Sequence, residues 1–201
     1  IIGTIAKLAP KKQIIPEIET VILSGDLDTL QLVDNRTKVY SLRKGVKDVV
    51  LYDEKSVREK FQGLKPDQLL DFKALRGDPS DNIPGVTGIG EKTAIELLLK
   101  FGSLENLYKE IEENSEKVKE LRSKLKDLLL KYKEQAFLSE NLAQLKKNVL
   151  IEFSLKDCRW NKFDIKKATQ VLENFEFYSL IKRLPEIKKE GKNSIPPPSS
   201  E

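Results

Sequence analysis

The sequence predicts an α/β unit with a helical extension, and two observations carry that expectation. Short β-branched runs bounded by Gly, Ser and Asp fall before Asp53, and from Pro66 onward the apolar residues recur at helical spacing. A composition of 39% hydrophobic and 34% charged residues describes a polar but folded chain.

Taken in order, Ile2, Ile5, Ala6 and Ala9 keep helical spacing until Pro10, so residues 1–9 read as the tail of a helix. The run from Glu19 to Leu23 (ETVIL) reads as a buried strand closed by Ser24-Gly25. Asp26 to Val33 reads as a short helix. Thr37 to Leu42 and Asp48 to Tyr52 read as two further strands joined at Arg43-Lys44-Gly45. Asp53 then caps a helix that runs to Phe61, with Gly63 just beyond it.

Helices take over at Pro66. PDQLLDFKALRG has Pro in its first turn and ends at Gly77; EKTAIELLLKFG ends at Gly102, and Ser103 caps SLENLYKEI. Two Lys/Glu-rich helices are expected from about Ser115 to Leu145. Asn148 to Phe153 reads as a short strand or an extended segment, and Asp164 to Leu184 as two more helices. Phe175, Phe177 and Tyr178 are expected to pack the terminal helix, and the tail GKNSIPPPSSE reads as a linker.

The chain has 201 residues, no His, no Met and one Cys, with 36 Lys+Arg against 32 Asp+Glu for a net charge of +4. Without an imidazole, a Ser-His-Asp nucleophile, a His-ligated zinc and a His proton shuttle are excluded. Cys158 alone makes neither an internal disulfide nor a multi-Cys zinc site. Metal chemistry must therefore use oxygen ligands. Lacking Met, Ile1 is expected to be a cut end. No apolar run is long enough to span a bilayer, so no membrane is expected, and with a lone thiol the expected location is cytoplasmic.

Two acidic pairs are candidates for such chemistry. Asp26 and Asp28 follow directly after an apolar strand, where open α/β sheets place ligand sites. Asp26 capping the next helix, with Asp28 in its first turn, is the alternative. Asp78 and Asp81 stand three apart in the Gly/Pro-rich loop GDPSDNIPG, where turn-forming Asp is the alternative. Together, the two pairs suit Mg²⁺ or Mn²⁺, and a two-metal arrangement suits phosphodiester hydrolysis.

PGVTGIGEKTA, from Pro84 to Ala94, is the most informative stretch. Its order Gly-x-x-Gly-x-Gly after a helix excludes a dinucleotide fingerprint, and Glu91 between Gly90 and Lys92 excludes a P-loop. Helix, Gly hairpin, helix is a helix-hairpin-helix. Gly85, Val86, Gly88, Ile89, Gly90, Lys92 and Thr93 are its candidate contacts to a nucleic-acid backbone, read without the bases. The alternative is a helical corner whose glycines only solve a packing problem. Lys117 to Lys133, interleaved with acids, reads as a solvated helix surface.

DFKALRGDPSDNIPGVTGIGEKTA, residues 71–94, closely resembles the signature of the 5′→3′ exonuclease (flap endonuclease) domain of bacterial DNA polymerase I. SGDLDTLQLV is similar to the preceding metal-binding motif of that family, and AFLSENLAQL and FEFYSLIKRL to its C-terminal helices. The resemblance implies a partial 5′-nuclease (PIN-like) sheet, over residues 1–65, followed by a helix-hairpin-helix and helical subdomain over 66–184 and a linker over 185–201. It further implies that Asp26, Asp28, Asp78 and Asp81 belong to a two-ion Mg²⁺ cluster (Mn²⁺ being an alternative), and that the hairpin holds duplex DNA, with K⁺ bound there. Nicked, flapped or 5′-ended duplex DNA is the implied substrate, in replication and repair, and a monomer covalently linked to polymerase domains the implied setting. The family's remaining metal-binding acids and its basic arch are not among these residues. The 201 residues alone are therefore expected to be inactive, and a non-catalytic duplex-binding module is the alternative function.

Overall fold

The computed structural model describes residues 1–9, 18–42, 49–156, 158 and 164–184. The Arg43-Lys44-Gly45 connection, Pro10 and the tail 185–201 lie outside the described residues. The chain forms two compact units, Ile1–Phe153 and Ser154–Glu201.

The first unit is mixed α/β, as expected. Helix α1 (Ile2–Leu8) precedes strand β1 (Thr20–Ser24), which pairs in parallel with β2 (Thr37–Leu42); β3 (Val49–Tyr52) adds antiparallel to β2. The order β1-β2-β3 leaves β1 at one edge. Alternation along the pleat decides burial: Ile22, Val39 and Tyr52 join Leu30, Val57 and Leu69 in one apolar cluster. The expectation of a buried ETVIL strand is corrected here. Only Ile22 is covered, and Val21 and Leu23 stand 52% and 64% exposed on the opposite face beside Tyr40.

Asp26 to Val33 is helical as read, but of the tighter 3₁₀ kind over Leu27–Leu32. Helix α2 (Glu54–Lys60) begins at Asp53, whose carboxylate accepts the Ser56 N–H at 2.8 Å. Pro66–Gln68 forms a 3₁₀ turn leading into α3 (Leu69–Arg76), and α4 (Glu91–Phe101) and α5 (Leu104–Glu112) follow. Ser103 Oγ accepts the Asn106 N–H at 3.1 Å, as the capping pattern predicted.

Between Ser115 and Leu145 there are three helices where two were expected: α6 (Glu116–Lys119), α7 (Ser123–Lys131) and α8 (Lys133–Ala143). The chain breaks at Tyr132 (φ −108°, ψ 22°), which turns Leu129 and Ala136 onto the same core. That second cluster joins Phe72 and Leu75 of α3 to Leu98 of α4, Leu107 of α5 and Leu129 of α7. Several lysines of this region pair with acids, Lys117 with Glu110 at 3.8 Å and Lys119 with Glu116 at 2.5 Å. Residues 148–153 form no strand, and the Val149 N–H donates to Thr4 Oγ1 at 3.2 Å.

The second unit carries α9 (Ile165–Asn174), capped by Asp164 through the Lys167 N–H, and α10 (Tyr178–Ile181). Its aromatic residues depart from expectation. Phe175 and Phe177 stack on each other at 6.0 Å and, with Tyr178, remain more than half exposed. No helix among the described residues is long and apolar enough to cross a membrane.

Candidate functional site

Helix α3 and the loop after it build one side of the site. Phe72, Ala74 and Leu75 bury their side chains in the core, and Lys73 turns into a cleft of about 510 Å³. Gly77 ends the helix at φ +81°, and the loop folds back as Asp78 and Ile83 exchange two N–H···O bonds of 2.9 Å. The Asp78 carboxylate accepts from the N–H (3.0 Å) and hydroxyl (2.6 Å) of Ser80, a local turn that fixes its direction. The other side comes from the end of β1, as open sheets favour.

Carboxylate oxygens of Asp28, Asp78 and Asp81 all lie within 4.8 Å of one another. Asp26 lines the same cleft but stands outside that cluster: its side chain accepts the Asp28 N–H at 2.9 Å, the capping alternative seen in the sequence. The residue that sequence reasoning missed is Lys73. Its Nζ is hydrogen-bonded to Asp28, sits 2.7 Å from Asp78 and 3.9 Å from Asp81, and its side chain is only 15% exposed. The sequence signal is partial: Phe72, Ala74 and Leu75 claim the core and turn Lys73 away from it, but only the fold places acids around its ammonium.

Electrostatics follow from this arrangement. Burial pushes the Asp28 carboxyl up; the Lys73 hydrogen bond and charge oppose it, and the neighbouring charges of Asp26 and Asp81 reinforce it. Asp78, held by hydrogen bonds from Lys73 and Ser80, is lowered to about 2. Burial pulls the Lys73 ammonium down, but its bonds to Asp28 and Asp78 prevail and it is raised. Clustered carboxylate oxygens around an ammonium are hard donors already arranged about a cation, so the residues present fit Mg²⁺ or Mn²⁺.

The hairpin follows without a break. Gly85 has φ +61°, and a Cβ there would lie 2.2 Å from the Gly77 backbone nitrogen, so the two ends of the acidic loop cross in direct contact. Helix α8 holds that crossing: the Gly85 N–H donates to Ser139 Oγ (3.0 Å), and Gln135 Nε2 donates to the Gly85 carbonyl (2.6 Å). Val86 and Ile89 bury their side chains in the core, and their N–H groups bond Leu75 and Val86 carbonyls. Gly85, Val86 and Ile89 thus face the protein.

Gly88, Gly90, Lys92 and Thr93 differ: the first three are exposed and Thr93 is partly so. Gly90 is the N-cap of α4 with no side-chain cap, and the first helical bond runs from the Ala94 N–H to the Gly90 carbonyl. The N–H groups of Glu91, Lys92 and Thr93 therefore precede that ladder and are available to an anion. Lys92 is 89% exposed, 4.0 Å from Glu96. Glu91 also lines the cleft that holds the four acids, and pairs with Arg76 at 3.8 Å.

A family model described as 5′-3′ exonuclease, C-terminal SAM fold, matches residues 64–166. The chain belongs to this family. Proteins similar to it include DNA polymerase I of Bacillus subtilis (strain 168), 41% identical over 191 residues, which is 95% of this chain and 20% of the polymerase. DNA polymerase I of Lactococcus lactis subsp. cremoris (strain MG1363) is 41% identical over 178 residues, 88% of this chain and 19% of that protein. The chain thus spans about a fifth of the length of these relatives. Among solved structures, a T5 5′-exonuclease with divalent zinc ions bound matches with TM-score 0.52 at 23% identity, over 62% of this chain and 42% of that one. That likeness is one of fold, and it marks the three-stranded sheet with its helices as part of a 5′-nuclease fold.

Proposed function

We propose that this chain carries the duplex-docking unit and part of the metal centre of a Mg²⁺-dependent 5′→3′ exonuclease and flap endonuclease of the DNA polymerase I kind. One observation carries the reading. A single cleft is lined by Asp26, Asp28, Asp78 and Asp81 and by Glu91, the first residue of α4. A strand whose phosphate rests on the open N–H groups of α4 then runs toward the acidic cluster.

In this reading Asp28, Asp78 and Asp81 hold the divalent ion and Asp26 orients Asp28 through its N–H. Bound ions would supply an activated water and stabilise the leaving oxygen. Gly88, Gly90, Lys92 and Thr93 hold the backbone by N–H donors and charge, independent of base sequence. Gly85, Val86 and Ile89 shape the hairpin from within. K⁺ at the hairpin, a nicked or flapped duplex as substrate and polymerase domains on the same polypeptide belong to the same proposal. Three clustered carboxylates and one capping Asp offer few ligands for two ions, so the 201 residues alone are expected to cleave little or nothing.

The test is cleavage of a 5′-labelled flap by the full-length gene product. Asp81→Ala should abolish cleavage while flap binding persists; undiminished cleavage would remove the cluster from the mechanism. One observation favours a second reading, a duplex-binding module without catalysis: Lys73 already neutralises part of the cluster. It predicts salt-sensitive duplex binding that ignores Mg²⁺ and survives Asp26→Asn with Asp28→Asn.

A further inference from the structure

We propose that Lys73 is a built-in counter-cation of the acidic cluster, occupying the place of a divalent ion and competing with it. Metal binding on this view is an exchange in which the ammonium leaves as the ion enters. The inference rests on the metal reading above and adds a residue and an order of events to it.

Geometry makes the exchange necessary. Lys73 Nζ is bonded to Asp28, lies 2.7 Å from Asp78 and reaches Asp81 at 3.9 Å. An ion held by the same carboxylates would lie about 2.0–2.6 Å from their oxygens. Those oxygens are within 4.8 Å of one another, so that ion would fall in the volume Nζ fills. Two cations that close repel strongly in a site of restricted solvent access. A lysine is suited to leaving, being a point charge on a flexible four-carbon stem. The cleft gives it somewhere to go, since Asp26 and Glu91 line the same space.

Two consequences follow. Without metal, Lys73 offsets the mutual repulsion of the three carboxylates, so the loop holding Asp78 and Asp81 keeps its form. With metal, the ion must displace a bonded ammonium, so affinity is lower than the carboxylates alone would give.

The test is calorimetric titration of the 201-residue chain with MnCl₂ at pH 7. Lys73→Met should bind Mn²⁺ at least about tenfold more tightly than the unmodified chain, about 1.4 kcal/mol. Its melting temperature without metal should be lower. Lys55→Met, an exposed site on α2, makes the same charge change and should leave Mn²⁺ affinity unaltered. Lys73→Arg, keeping the charge, should bind no more tightly than the unmodified chain. Equal or weaker binding by Lys73→Met, with binding by the unmodified chain intact, overturns the competition and leaves the metal reading standing. No binding by either chain at millimolar MnCl₂ overturns both. A measurement on the unmodified chain needs no variant to fold: saturating Mg²⁺ should shift the Lys73 side-chain NMR resonance, and an unmoved resonance refutes the exchange.

Discussion

Gly85→Ala probes the joint between the acidic loop and the hairpin. A left-handed backbone costs an L-residue about 1–2 kcal/mol, and Gly85 sits at φ +61°. The added Cβ would meet the Gly77 nitrogen at 2.2 Å and the Arg76 carbonyl carbon at 2.6 Å. Both are backbone atoms, so no rotamer change relieves the contact, and overpacking of this kind costs about 1–3 kcal/mol. Together these predict a loss of about 2–5 kcal/mol. Gly90→Ala is the matched control. Gly90 has ordinary extended backbone (φ −93°), and a Cβ there meets nothing within 4 Å, leaving only an N-cap preference of about 1 kcal/mol or less. Urea unfolding of both variants followed by circular dichroism measures the difference. A Gly85→Ala loss no larger than that of Gly90→Ala would refute the crossing as a rigid joint. The same pair separates folding from docking, because Gly90→Ala should fold yet bind duplex more weakly, its Cβ projecting where a phosphate would approach.

Two further outcomes follow from the same framework. Ser139→Ala removes the acceptor for the Gly85 N–H in a fully buried setting and should cost about 1–3 kcal/mol by urea unfolding. Asp71→Asn tests a half-buried carboxylate whose pKa is raised, first by desolvation and then by the charges of Asp67 and Glu105, despite the Leu104 N–H it accepts at 3.0 Å. A raised carboxylate pKa in the folded state means that ionisation disfavours folding. The penalty is complete above the folded pKa and vanishes as pH falls below the ordinary value of 3.8. Asp71→Asn should therefore raise the melting temperature at pH 7 and leave it nearly unchanged near pH 3; an equal rise at both would refute the assignment.

Much of this architecture was legible because local rules governed it. Asp53 and Ser103 cap the helices their positions announced, and Gly77 and Gly102 end α3 and α4 where sequence placed them. Burial was less legible, because it depends on which neighbours cover a face. ETVIL has the composition of a central strand, yet β1 is an edge strand and only Ile22 is enclosed among the described residues. The break at Tyr132 likewise answers a tertiary demand, the need for α7 and α8 to reach one core, and no Gly or Pro marks it.

The site divides in the same way. Motif spacing selected all four acids; the fold brings oxygens of Asp28, Asp78 and Asp81 within 4.8 Å of one another, while Asp26 accepts the Asp28 N–H at 2.9 Å. Within the hairpin, spacing alone does not distinguish residues that face outward from those that anchor. Val86 and Ile89 are the apolar residues of the motif, and core burial claims them. Lys73 was missed because a lysine on a helix is ordinarily a solvated one; only the fold brings three acids from two separate segments around its ammonium.

The central claim is that Asp28, Asp78 and Asp81 form a divalent-metal centre. Anomalous diffraction from crystals of this chain soaked in MnCl₂ tests it most directly. A peak is expected within about 2.0–2.6 Å of oxygens of all three carboxylates, with the Lys73 side chain turned out into the cleft. A saturated crystal with no peak between these residues, and Lys73 still bonded to Asp28 and Asp78, would contradict it.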